Sequence, residues 1–93
     1  MITFTATVDR VIYTTDNEGE PIIAAIHLSH SDIGLDGTIM NYDRSNNVIF
    51  DDDIISAAPP MTTHQPFDVT ITIKPNDGNP YINNDNIIKV EVN

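Results

Sequence analysis

The sequence predicts an all-β domain, and three observations predict it: a β-branched composition, alternation of apolar with polar residues, and turn-forming residues gathered between the apolar runs. Fifteen Ile, 6 Val and 10 Thr make up a third of the chain, against 2 Leu and 5 Ala. Branched Cβ atoms stiffen χ1 against a helical turn but pack well on a pleated sheet, whereas helices favour the Leu and Ala scarce here. Ten Asn, 6 Pro and 4 Gly cluster between the apolar segments, where turns need residues that tolerate positive φ or pre-set it near −65°.

In the first strand Ile2, Phe4, Ala6, Val8 and Ile12 alternate with Thr3, Thr5, Thr7 and Asp9, through Thr14. After Asp9-Arg10 the opposite face also turns apolar, at Val11 and Tyr13, the pattern of a strand that bends or bulges. The polar stretch 15–20 is a turn, and a second strand over 21–29 carries Ile22, Ala24, Ile26 and Leu28 on one face, which predicts a hairpin. A loop over 31–37 precedes a second, shorter hairpin built from 38–42, a polar turn at 43–47, and Val48-Ile49-Phe50.

Asp51-Asp52-Asp53 before Ile54-Ile55-Ser56-Ala57-Ala58 and Pro59-Pro60 predicts an N-capped helical turn or two ended by prolines. After a connection at 61–66, Phe67, Val69, Ile71 and Ile73 alternate with Asp68, Thr70, Thr72 and Lys74 in the cleanest strand of the chain. An Asn-rich loop at 76–86 leads to a last strand over 87–92. This order is that of a small OB-like, partly open barrel with one short helix between strands three and four. The alternative is a β-sandwich of six to seven strands. At 93 residues the chain suffices for one domain, residues 1–93.

Function is constrained mainly by charge. The formal net charge is −10, with 14 carboxylates against Arg10, Arg44, Lys74 and Lys89. Nucleic-acid binders and proteins that sit on anionic membranes rely on Lys and Arg, so both partners are disfavoured and basic protein surfaces favoured. Without cysteine there is no thiolate nucleophile and no Cys-based metal site. Met1-Ile2-Thr3-Phe4-Thr5 does not read as a signal peptide, and no run approaches the roughly 18 apolar residues of a membrane span. A cytoplasmic location is expected, in the host cytoplasm if the chain is phage-encoded.

His27, His30 and Asp32 can be drawn as a metal cluster, but ordinary alternation points residues 27 and 30 to opposite faces, and no metal is expected there. The aspartates at 51–53 suit capping better than calcium binding. No serine elbow, Ser-x-x-Lys pair or phosphate-cradling Gly-rich loop is present, and no enzyme activity or cofactor is expected. The leading expectation is therefore a non-enzymatic acidic interaction module, in its sharpest form a phage or mobile-element inhibitor that mimics nucleic-acid charge. Its candidate partner-binding residues are Asp16, Glu18, Glu20, Asp51, Asp52, Asp53, Asp77 and Asp85.

An alternative is an OB-like single-stranded nucleic-acid-binding domain using Arg10, Tyr13, Tyr42, Arg44, Lys74 and Tyr81. A second alternative is a structural or assembly subunit that forms homo-oligomers through edge strands.

Overall fold

The computed structural model describes residues 1–34, 36–40, 49–74 and 87–93. Six strands and one short helix follow in the order β1 (Ile2–Thr15), β2 (Pro21–Ser31), β3 (Gly37–Met40), β4 (Ile49–Phe50), α1 (Asp53–Ala57), β5 (Phe67–Ile73) and β6 (Ile87–Val92). All six strands belong to one sheet, ordered β3-β2-β1-β5-β6-β4. Pairing is antiparallel except for β4, which runs parallel to β6.

The two outermost strands, β3 and β4, are consecutive in the chain. β3 pairs with β2 at one edge of the sheet and β4 pairs with β6 at the other, and the sheet curls into an OB-like, partly open barrel. α1 follows β4 and precedes β5, so the short helix stands before the last two strands, as the sequence predicts. The expected second hairpin is corrected. β3 and β4 do not pair with each other, because Ile26 and Leu28 of β2 align with Ile39 and Gly37, while Ile49 and Phe50 align with Lys89 and Val90.

The bend in β1 has a definite origin. Val8 pairs with Leu28 and Arg10 with His27, so Asp9 is an extra residue in the ladder. One inserted residue inverts the alternation. Before the bulge Phe4, Ala6 and Val8 are buried, whereas beyond it Val11 and Tyr13 pack on the core and Ile12 is exposed.

β2 answers with two irregularities of its own, at Ser29 and Ala24. The expected inward face of Ile22, Ala24, Ile26 and Leu28 is corrected to Ile23, Ile26 and Leu28, with Ile22 exposed, because the irregularity at Ala24 shifts the phase by one residue. The same effect at Ser29 corrects the histidines. His30 pairs with Thr7 and His27 with Arg10, and both lie on the sheet face away from Leu28 and Ser31 rather than on opposite faces.

The core joins these residues to Ile39, Ile54, Val69, Ile71, Ile73, Ile87 and Val90. Ile54 is fully buried although α1 has only five residues, so the helix is held by what it buries rather than by its length. Burying an isoleucine contributes about 1.5–3 kcal/mol.

The start of α1 differs in detail from a simple N-cap. Asp52 occupies the cap position but its side chain makes no capping bond. Asp51 takes over: its carboxylate accepts from Asp53 N at 3.2 Å and from Val92 N at 3.4 Å, and its own N–H donates to Val90 O at 2.9 Å. α1 is thereby tied to β6. Its other end is tied to β1, where the Tyr13 hydroxyl donates to Ala58 O at 2.6 Å.

Candidate functional site

The acidic candidates fall into two groups. Asp16, Glu18 and Glu20 occupy the turn between β1 and β2. The backbone there is fixed by Asp16, whose Oδ1 accepts from Glu18 N at 2.8 Å and Glu20 N at 2.9 Å, while Asp16 N donates to Glu20 O at 2.9 Å. Gly19, at φ +83°, supplies the left-handed residue that closes the turn. Asp16 therefore spends one oxygen on the fold, and the exposed Glu18 and Glu20 point charge outward from a fixed backbone.

The second group opens α1. Asp51 is half-buried and engaged internally, whereas Asp52 and Asp53 are exposed. Asp77 and Asp85 lie outside the described residues. The Tyr13 to Ala58 bond sets the C-terminal end of α1 against β1 three residues before Asp16.

Of the residues proposed for nucleic-acid contact, the described ones, Arg10, Tyr13 and Lys74, do not gather. Arg10 is exposed on β1 beside the bulge, while Lys74 follows Ile73, the partner of Ile2. The two cations stand at opposite ends of about 25 Å of strand. Tyr13 is half-buried with its hydroxyl engaged, and burial pushes its ionisation above the ordinary tyrosine value. Tyr42, Arg44 and Tyr81 lie outside the described residues.

Two features escaped the sequence reading. The first is a pair across the bulge: His27 Nδ1 lies 2.6 Å from Asp9 Oδ1, and this hydrogen bond holds the Asp9 carboxyl below its usual range. The switch of apolar phase at Asp9-Arg10 marks the bulge, but only the strand register places His27 opposite it. The second is Met61, fully exposed at 104 % and at φ +62°. Its signal is the Pro59-Pro60 pair immediately before it, which announces a turn.

Elsewhere on the surface, Thr7 Oγ1 donates to Asp68 Oδ1 at 2.9 Å across β1 and β5, and Lys89 pairs with Glu91 at 3.0 Å on β6. Among the described residues no three His, Asp or Glu side chains are grouped to hold a metal ion. No helix among them is long and apolar enough to cross a membrane. Comparison with family models, curated proteins and solved structures returned no match.

Proposed function

We propose that this chain is a non-enzymatic interaction module whose acidic surface docks on a basic protein surface. The observation that carries the reading is the pair of exposed carboxylate groups, Glu18 and Glu20 with Asp16 on one turn and Asp52 with Asp53 at the start of α1, in a chain of net charge −10. Both sit on backbone fixed by internal hydrogen bonds, which lowers the ordering cost of binding. Complementary potentials steer such a surface to a positive groove. In its sharpest form the module imitates nucleic-acid phosphates toward the groove of a nucleic-acid enzyme. Direct nucleic-acid binding is the weaker reading, since Arg10 and Lys74 stand about 25 Å apart along the sheet.

The test is affinity capture of a nuclease-treated lysate on the immobilised protein, eluted with a salt gradient. One basic nucleic-acid enzyme is expected to be retained at physiological salt and lost when Glu18, Glu20, Asp52 and Asp53 become Gln or Asn. Retention that is indifferent to those substitutions would overturn the reading.

A further inference from the structure

His27 and His30 share a face because the β1–β2 ladder is irregular on both strands. Consecutive ladder positions pair Thr7 with His30, Val8 with Leu28 and Arg10 with His27, so Ser29 is extra on β2 and Asp9 is extra on β1. The histidines are three residues apart in the chain but only two ladder steps apart, which returns both to one side of the sheet. Leu28 and Ser31 beside them are buried on the core side, and on the other side His27 is half-buried and His30 exposed. Two steps of strand set their Cα atoms about 7 Å apart, a span that two imidazoles can close on one ion at the usual metal–nitrogen distance of about 2.0–2.1 Å. The plain alternation that would keep residues 27 and 30 from sharing a ligand is absent from the fold.

One of the two rings is also oriented from behind. Asp9, the residue that the bulge inserts, places Oδ1 at 2.6 Å from His27 Nδ1. A carboxylate only accepts, so Nδ1 carries the proton and Nε2 keeps its lone pair. That is the arrangement in which histidine ligates a metal: an outer carboxylate fixes the tautomer and raises the basicity of the other nitrogen. The hydrogen bond from His27 holds the Asp9 carboxyl below its usual range, so the carboxylate form that this role needs is the one present at neutral pH. Arg10, in register with His27, opposes a cation there, whereas the net charge of −10 on the whole chain attracts one.

We propose that His27 and His30 form a surface site for a divalent transition-metal ion, with Asp9 as the positioning residue behind His27 and water in the remaining coordination positions. Imidazole selects the ion. Ca²⁺ and Mg²⁺ prefer oxygen ligands, whereas nitrogen ligands favour Cu²⁺ and Zn²⁺, and Cu²⁺ is bound most tightly of the divalent first-row series.

The test titrates the full chain with Cu²⁺ in a non-coordinating buffer near neutral pH, read by calorimetry and by nitrogen couplings in the electron paramagnetic resonance spectrum. A single tight site with two coupled imidazole nitrogens is expected. His27→Gln and His30→Gln should each weaken binding at least about tenfold and remove one coupling, while Asp9→Ala weakens it about tenfold with both couplings kept. Arg10→Gln should tighten binding by removing a like charge. His64→Gln should change nothing, since that ring sits against Phe67. Circular dichroism and thermal midpoints matching the parent show that each variant is folded. Affinity unchanged by the loss of either histidine overturns the site, as does a spectrum with oxygen ligands alone, which would assign the ion to the carboxylates. A single coupled nitrogen in the parent overturns the two-histidine chelate. Asp9→Ala binding as tightly as the parent overturns the positioning role of Asp9.

Discussion

Three joints of the fold meet at Asp51: the end of β4, the start of α1 and the flank of β6. Its amide and carboxylate together satisfy or engage backbone groups of Asp53, Val90 and Val92, which buried or half-buried segments leave costly when unpaired. Asp51→Ala is expected to cost about 2 kcal/mol. That lowers the thermal midpoint by roughly 8–16 °C in a domain of this size, measurable by calorimetry. Asp52→Ala, whose side chain caps nothing, should leave the midpoint nearly unchanged. Equal effects of the two would remove Asp51 from this role. Tyr13 gives a pH-dependent counterpart. Its folded ionisation lies above the ordinary value because burial disfavours the phenolate. The resulting stability is fully present below the unfolded value near 10 and is lost as pH rises through the higher folded value. Unfolding midpoints measured across alkaline pH should fall in that window, and Tyr13→Phe should flatten the fall while losing about 1 kcal/mol at neutral pH with the Ala58 bond.

Among the elements, β1 is governed by one inserted residue. The bulge at Asp9 lets the same strand bury Phe4, Ala6 and Val8 and then Val11 and Tyr13, so it serves the core along most of its length. Deleting Asp9 leaves Val8 opposite Leu28 and Arg10 opposite His27 in plain alternation, so Val11 and Tyr13 keep their inward phase and only the bend is removed. The deletion variant should therefore still unfold cooperatively, with a lower thermal midpoint because the bend is lost. Asp9→Ala keeps the extra residue and should unfold cooperatively within a few degrees of the parent. A deletion variant without a cooperative transition would mean that the bend at Asp9, and not the phase alone, is required by the fold. The helix is the complementary case: Ile54→Ala should cost about 2–5 kcal/mol, because its side chain is fully buried in the core cluster.

For the whole molecule, charge governs behaviour outside the core. The principal extents are 38 × 29 × 18 Å. At 0.01 M ionic strength the Debye length of about 30 Å spans most of that, so the carboxylates repel one another across the barrel. At 0.1 M it falls to about 10 Å and only neighbours interact. The thermal midpoint should therefore rise by several degrees on adding neutral salt from 0.01 to 0.3 M, with most of the gain below 0.1 M. A flat midpoint would mean that the charges are already balanced locally, as Lys89 and Glu91 are.

Much of this was legible in the residues because strands write their burial as alternation and turns write their backbone needs as Gly, Asn, Asp and Pro. The strand β5, the hairpin joining β1 to β2, the helix at residue 54 and the break at Asp9-Arg10 all follow from local rules. The acidity, and with it the class of partner proposed, is a property of the sequence alone. What the sequence could not decide was pairing. Nothing local says that β4 joins β6 rather than β3, since both alternatives bury the same apolar face and the choice depends on contacts distant along the chain. The phase of β2, the placement of His27 against Asp9 and the shared face of His27 and His30 depend on irregularities in a ladder between two strands. They became defined only in the tertiary structure, because an inserted residue has meaning only relative to the partner strand that lacks it.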